Sequence, residues 1–149
     1  MRFLFLAKKF WKNSTQQKQV KLTFIDKMNI ELIREYCLKK KFVTEGLPFD
    51  DVSPVYRVMG KIFMIASLET PVFINLKCDP EKAVELREKY DCVKPGWHMN
   101  KIHWNSVYID NSIHDELIYE WIDHSYDLIV SKLKKTDRDK IFPPKDKRN

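Results

Sequence analysis

The chain has 149 residues, enough for one domain with extensions at its ends. Hydrophobic residues make up 44% and aromatic residues 13% of the sequence, which provides for a packed core and excludes wholesale disorder. There are 27 basic and 21 acidic residues, so the formal net charge of +6 favours an anionic partner, either nucleic acid or an anionic membrane surface.

The positive charge is concentrated at the two ends of the chain. Residues 1–27 contain seven basic groups and one acid, and residues 134–149 contain seven basic groups and three acids. The central segment, residues 28–133, contains 13 basic and 17 acidic groups and is therefore net negative. If the central segment binds phosphate, it must do so through a local cluster of cations.

Residues 1–27 are predicted to be a basic N-terminal extension. "MRFLFLAKKFWK" spaces its apolar residues as a helix on a membrane surface or a partner would, and "VKLTFI" alternates as a half-buried strand would. Alternatively, Met28 is the natural start and 1–27 an upstream addition. No apolar run approaches the roughly 20 residues that span a bilayer, and a signal peptide is not recognisable, so we expect a cytoplasmic protein.

The next elements are predicted to be one helix and three short strands. Asn29 can cap a helix from Ile30 to about Lys40, and "TEGLPFDDVSP" is typical of a loop. "VYRVMGKIFMIAS" predicts a hairpin that turns at Gly60, and "VFINL" predicts a third strand. Three short strands with tight connections indicate an antiparallel meander.

A second helix has unusually clear start signals in "CDPEKAVELREKY". Asp79 is placed to cap it, and Pro80 occupies its first position. The Pro95-Gly96 pair then breaks the chain before a strand through "NSVYID".

Ser112 is predicted to cap the last helix, which continues to about Leu133 with apolar residues every three or four positions. Residues 134–149 are charged and interrupted by Pro143-Pro144, so we expect a disordered tail. The order of these elements predicts an α+β two-layer domain over residues 28–133, with an antiparallel sheet packed against helices.

Neither metal binding nor a disulfide is indicated by the cysteines and histidines. Cys37, Cys78 and Cys92 form no close pair, and their odd number favours reduced core thiols. His98 and His103 are five residues apart, which places them on opposite faces of a strand. We therefore predict no metal site and no cofactor.

The sequence also gives little indication of catalysis. A Cys92–His98 pair lacks any supporting motif, and the sequence has no Gly-rich phosphate loop. His124 and Asp127 lie one helical turn apart beside Asp123, an arrangement that suggests acid–base chemistry but is more typical of a solvated helix face. We predict no catalytic residue and a protein that is not an enzyme.

The segment "PGWHMNKIHWNSVYID" offers candidate nucleic-acid contacts. Its side chains are suited to phosphate or base edges, and its tryptophans either stack on unpaired bases or pack in the core, the interpretation we favour. Two further cations flank Gly60. The predicted DNA-binding residues are Arg57, Lys61, Lys94, His98, Asn100 and Lys101.

Five stretches resemble the MmcQ/YjbR family: "MNIELIREYCLKK", "GKIFMIASLE", "NLKCDPEKAVELREKY", "VKPGWHMNKIHWNSVYID" and "IDHSYDLIVSKL". The resemblance covers about residues 28–133. It implies a small fold with a curved antiparallel sheet, comparable to a double-wing DNA-binding domain, and no enzymatic activity. One departure is Ile102, because the resemblance implies a basic residue at that position.

The function predicted from sequence is DNA binding, mainly by phosphate contacts and without enzymatic activity. The alternative is a module that binds a protein or a small ligand, with the acidic helices forming a surface for a partner. A deep apolar pocket beside the sheet would favour this alternative.

Overall fold

The computed structural model describes residues 28–145, so the predicted extension 1–27 lies outside the described residues, as do the last four positions. The helices are α1 (Ile30–Leu38), α2 (Pro80–Lys89), α3 (Asp115–Ser131) and α4 (Lys135–Ile141). The strands are β1 (Val43–Gly46), β2 (Val55–Val58), β3 (Lys61–Ser67), β4 (Phe73–Lys77), β5 (Val93–Pro95) and β6 (Trp104–Tyr108).

The six strands form one sheet in the order β1-β2-β3-β4-β6-β5, and every neighbouring pair is antiparallel. This confirms the predicted α+β class and the hairpin, whose turn residues Met59 and Gly60 both have positive φ. The two edge strands were not predicted. β1 lies partly in the segment predicted as a loop, and β5 has only three residues.

Helices cover one face of this sheet. α3 packs on β2, β3 and β4, α1 packs on β1, and α2 packs on β5 and β6. The strand residues turned toward them are buried in the core that the helices share: Tyr56, Val58, Phe63, Met64, Ile74, Leu76 and Val107. Within residues 28–145, none of the helices is long and apolar enough to cross a membrane.

The other face, here called the open face, is defined by one row of paired residues that alternate with the core residues. The row runs across five strands as Val55, Ile65, Asn75, Ser106 and Lys94. Because successive side chains of a strand point to opposite sides, these five residues point away from the helices.

A β-bulge at the β2–β3 pair changes which residues face the core. Tyr56 pairs with Met64 whereas Arg57 pairs with Ile62, so Phe63 is the extra residue. Phe63 and Met64 are consecutive and both fully buried among the core residues. The bulge therefore leaves Ile62 and Arg57 on the open face.

A hydroxyl group from α3 supplies the hydrogen bonds that β3 and β4 do not make with each other beside the bulge. The β3–β4 pairing ends at Met64 and Leu76. Beyond this pair, the Lys77 amide donates to Ser125 Oγ over 2.9 Å, and Ser125 Oγ donates to the Phe63 carbonyl over 2.6 Å. The fully buried Ser125 thus links the long helix to two central strands.

Two of the three predicted helix caps are confirmed. The Asn29 side chain accepts from the amides of residues 31 and 32, and Asp79 accepts from those of residues 81 and 82. The predicted cap at Ser112 is wrong, because α3 begins only at Asp115. The Ser112 amide instead donates to Asp110 Oδ1, which stabilises the turn after β6.

The predicted disorder of the C-terminal tail is wrong for residues 135–141, which form α4. Ile141 is fully buried and joins the main core, and its carbonyl accepts a hydrogen bond from Lys41 Nζ at 3.0 Å. A single apolar residue secures this segment, and its burial depends on neighbours far away in sequence. The folded unit therefore extends beyond the predicted boundary at residue 133.

We expect Ser125→Ala to lower the free energy of unfolding by about 2–4 kcal/mol, because a buried amide and a buried carbonyl lose their partner. Ser131→Ala is the matched control on the same helix: its hydroxyl bonds the Leu128 carbonyl at the exposed helix end. The control should change stability by less than about 0.5 kcal/mol. Urea unfolding measures both, and equal effects would contradict the bridging role of Ser125.

We expect Ile141→Ala to destabilise the protein by about 2–4 kcal/mol, because it leaves a cavity at a fully buried site. Phe142→Ala removes a neighbouring side chain that is 58% exposed and should have a much smaller effect. Thermal unfolding compares the variants, and amide exchange in α4 should accelerate in the first. Unchanged stability in Ile141→Ala would show that α4 does not dock.

Candidate binding surface on the open face of the sheet

The open face forms the floor of a groove of about 790 Å³. The loop of residues 47–54 lies along one side of this groove, and the β5–β6 loop of residues 96–103 lies along the other. Side chains from the floor and from both loops line it, including Ile62, Ile65, Phe73, Tyr108, Trp97 and His98. Its volume is within the range of ligand-binding pockets, about 300–1,000 Å³.

Aromatic rings are the main feature of this groove. Phe73 and Tyr108 are cross-strand partners on β4 and β6, and their ring centroids are 5.2 Å apart. Trp97 is 59% exposed, so the predicted core position is wrong for this residue, whereas Trp104 is half-buried. The Trp97 ring lies 4.6 Å from the His98 ring in an edge-on arrangement. A large exposed aromatic beside an aromatic pair is typical of a binding surface.

The backbone of Trp97 is held by two buried polar side chains, an arrangement here called the Trp97 clamp. Asn75 Nδ2 donates to the Trp97 carbonyl over 3.1 Å, and the Trp97 amide donates to Ser106 Oγ over 2.9 Å. Ser106 Oγ in turn donates to Asn75 Oδ1 over 2.5 Å. Asn75 and Ser106 belong to the open-face row, so the sheet itself positions the loop.

Close backbone packing orders the rest of the β5–β6 loop. A Cβ on Gly96 would lie 2.8 Å from the Trp104 Cβ and 3.0 Å from the Trp104 carbonyl oxygen, so only glycine fits here. His98, two residues after Gly96, has a φ of +54°, in the left-handed region that few non-glycine residues adopt, although Asn, Asp and His do so more often than the others. These constraints place Trp97 and His98 at the edge of the groove.

Two of the predicted DNA-binding residues have roles inside this loop. Asn100 Oδ1 accepts from the amides of Ile102 and His103, as a turn residue does. Lys101 Nζ donates to the Gly96 carbonyl over 2.9 Å. The ammonium of Lys101 keeps its charge near the groove, but its position is determined by the loop.

The other four predicted residues fall on different sides of the sheet. Lys94 and Arg57 both point to the open face, but three strands separate them, a distance of about 19 Å at roughly 4.8 Å per strand. His98 lines the groove between them. Lys61 pairs with the core residue Val58 and is therefore on the helix side of the sheet. The structure thus does not bring the six residues into one cluster.

Carboxylates are absent from most of the sheet. Strands β2 to β6 contain four basic residues and no acidic residue, and the single acid of β1, Glu45, bonds Arg34 of α1. The helices contain many of the acids: Glu81, Glu85, Glu88, Asp115, Glu116, Glu120, Asp123 and Asp127 on α2 and α3. Two acids line the groove: Glu69, and Asp50, whose carboxylate accepts from the Val52 amide and the Ser53 hydroxyl.

The cysteines lack the character of nucleophiles. All three are buried and unpaired. Burial raises the pKa of the Cys37 thiol to about 12 and that of Cys78 to about 11, and it also raises the pKa of Cys92. These thiols are therefore protonated at neutral pH and react poorly as nucleophiles.

The histidine of α3 is likewise engaged in a structural contact. His124 Nε2 accepts the Asp79 amide over 3.2 Å, and burial lowers the pKa of His124. Asp123 accepts from the Tyr36 hydroxyl and pairs with Lys40. Across residues 28–145, no group of three or more His, Cys, Asp or Glu side chains is placed to hold a metal ion.

Together the sheet and groove define an α+β protein with a helix-covered face and an exposed aromatic face. The YjbR family model matches residues 38–128, and the chain belongs to this family. It is 39% identical over 121 residues to the YbdF protein of Escherichia coli O157:H7, with 80% of this chain and 99% of that protein covered. It is 33% identical over 112 residues to the YjbR protein of Escherichia coli K12, covering 74% and 95%.

Solved structures show the same fold. The crystal structure of Deinococcus radiodurans protein DR2400 superposes with a TM-score of 0.72 at 31% identity, covering 78% of this chain and 89% of that chain. A crystal structure of a Pseudomonas syringae protein gives a TM-score of 0.61 at 25% identity, covering 68% and 98%. The predicted family and fold are therefore confirmed.

We expect Ser106→Ala to loosen the Trp97 clamp, because the Trp97 amide and Asn75 Oδ1 both lose their partner. Amide exchange at Trp97 should accelerate roughly 5- to 13-fold, as the loss of a hydrogen bond worth about 1–1.5 kcal/mol implies. Ser67→Ala removes a hydroxyl from the same side of the sheet outside the clamp and is the control. Equal protection of Trp97 in both variants would contradict the clamp.

Proposed function

We propose that this chain is a non-enzymatic DNA-binding protein that contacts DNA mainly through phosphates at its open face. The observation that supports this most is the separation of charge between the two layers. Strands β2 to β6 contain four basic residues and no acidic residue, whereas α3 contains five acidic residues and no Lys or Arg. A net-negative central segment can in this way present a face that attracts polyanions.

The cations on the open face are far enough apart to contact separate phosphates. Arg57 borders one end of the open face and Lys94 the other, with His98 at the groove. Lys101 adds a positive charge beside the groove, although its ammonium is bonded to a carbonyl. Separate phosphate contacts of this kind position a protein on DNA without reading its sequence.

The environments of the thiols and of His124 support a non-enzymatic role within this proposal. The thiols are buried and protonated, and His124 is already bonded to a backbone amide. Three reduced thiols also favour a cytoplasmic location, because the cytoplasm keeps cysteines reduced.

A second candidate function is binding of a protein or a small ligand in the groove. The groove itself favours this, since it is lined largely by aromatic and aliphatic side chains such as Ile65, Phe73 and Tyr108. The two functions differ in their response to salt. Phosphate contacts weaken steeply as salt concentration rises, whereas burial of apolar surface does not.

We expect the full chain to bind duplex DNA in fluorescence anisotropy, with the logarithm of the association constant falling linearly with the logarithm of salt concentration. The double variant Arg57→Ala/Lys94→Ala should reduce the magnitude of this slope by about 2, or about 1 for each lost phosphate contact.

Lys61→Ala is the matched control, because Lys61 is a strand cation on the helix side of the sheet. It should leave the slope unchanged. Absence of binding to both duplex and single-stranded DNA at low salt would refute the proposal in favour of the second candidate. Equal slopes in the double variant and the wild type would show that the open face is not the phosphate-binding surface.

A further inference from the structure

We propose that the groove on the open face binds unpaired bases, so that the nucleic acid recognised is single-stranded. This inference rests on the proposed function, since it takes the phosphate contacts of the open face as given. It adds the class of nucleic acid and the side chains that distinguish that class from a duplex. Trp97, Phe73 and Tyr108 are the stacking residues.

The exposed rings supply a stacking surface that a duplex cannot use. In a duplex the base faces are covered by neighbouring bases, whereas in a single strand they are free to stack on aromatic side chains. Trp97 is more than half exposed at the edge of the groove, and the Phe73–Tyr108 pair is half-buried on its floor. An antiparallel sheet that displays aromatics on adjacent strands is suited to hold consecutive bases.

The Trp97 clamp holds the tryptophan in place before any ligand arrives. Two buried side chains, Asn75 and Ser106, bond both polar backbone groups of Trp97, although its ring contributes little to the core. A ring whose backbone is already ordered loses less conformational entropy on binding. This explains why buried polar groups are used to support a residue that remains largely in solvent.

The charges around the groove favour one location for the sugar-phosphate backbone. The groove lining contains two carboxylates, Asp50 and Glu69, and no Lys or Arg, whereas Lys94 lies outside the groove on β5. Phosphates are therefore expected along the β5 side, near Lys94, with the bases directed toward the aromatic floor.

The test compares three probes: a short oligothymidylate, an abasic oligonucleotide of equal length, and a duplex of equal length. The full chain should bind the oligothymidylate more tightly than the abasic strand and should lose tryptophan fluorescence on binding. Trp97→Ala should weaken oligothymidylate binding by roughly 5- to 100-fold, the effect of losing one base–aromatic stack. Binding of the abasic strand should not change.

Two further variants separate stacking from damage to the fold. Trp97→Phe keeps an aromatic face and should recover most of the affinity. Ile102→Ala removes a side chain that is 62% exposed on the same loop and should have no effect on any probe. Thermal unfolding monitored by circular dichroism checks that all three variants fold.

The outcomes distinguish this inference from the proposed function. If the chain binds all three probes equally and Trp97→Ala changes nothing, base stacking is refuted while phosphate binding stands. If the duplex binds more tightly than the single strand, the inference is likewise refuted. If no probe binds at low salt, both the proposed function and this inference are refuted.

Discussion

Hydrogen bonds among Asn75, Ser106 and the Trp97 backbone connect the sheet to the surface that both functional proposals use. Burying an amide and a hydroxyl is unfavourable unless both find partners, and here they are satisfied by each other and by one loop residue. The consequence is a β5–β6 loop whose position follows from the register of β4 and β6. One wall of the groove is thereby held by hydrogen bonds from the strands beside it.

The distribution of charge between the strands and the rest of the domain is the second feature on which the proposed function depends. The acids lie mainly on the helices and connecting loops, where solvent reaches them, and several are neutralised by partners such as Lys40 and Lys82. The sheet has cations and aromatic rings on a face that no described helix covers. Net charge alone conceals this arrangement, because the central segment is net negative although its strands β2 to β6 contain basic residues and no acidic ones.

Local sequence signals predicted the elements whose formation depends on neighbouring residues. The caps at Asn29 and Asp79, the hairpin at Gly60 and the family resemblance all depend on short contiguous patterns, and all were found in the structure. Edge strand β5 and helix α4 were not recognised. β5 has only three residues and therefore gives a weak alternation pattern, and α4 is held by the burial of Ile141 among residues far away in sequence.

The sequence by itself determined the α+β class, the family and the candidate residues around Trp97, because alternation, capping and composition are properties of the chain. Only the tertiary structure decided which of those residues share a side. Lys61 and Arg57 are four positions apart, yet the hairpin and the strand alternation place them on opposite faces of the sheet. The backbone of Trp97 is held by Ser106 from the next strand and by Asn75, which is 22 residues earlier in the chain, and a local pattern does not contain the second of these contacts.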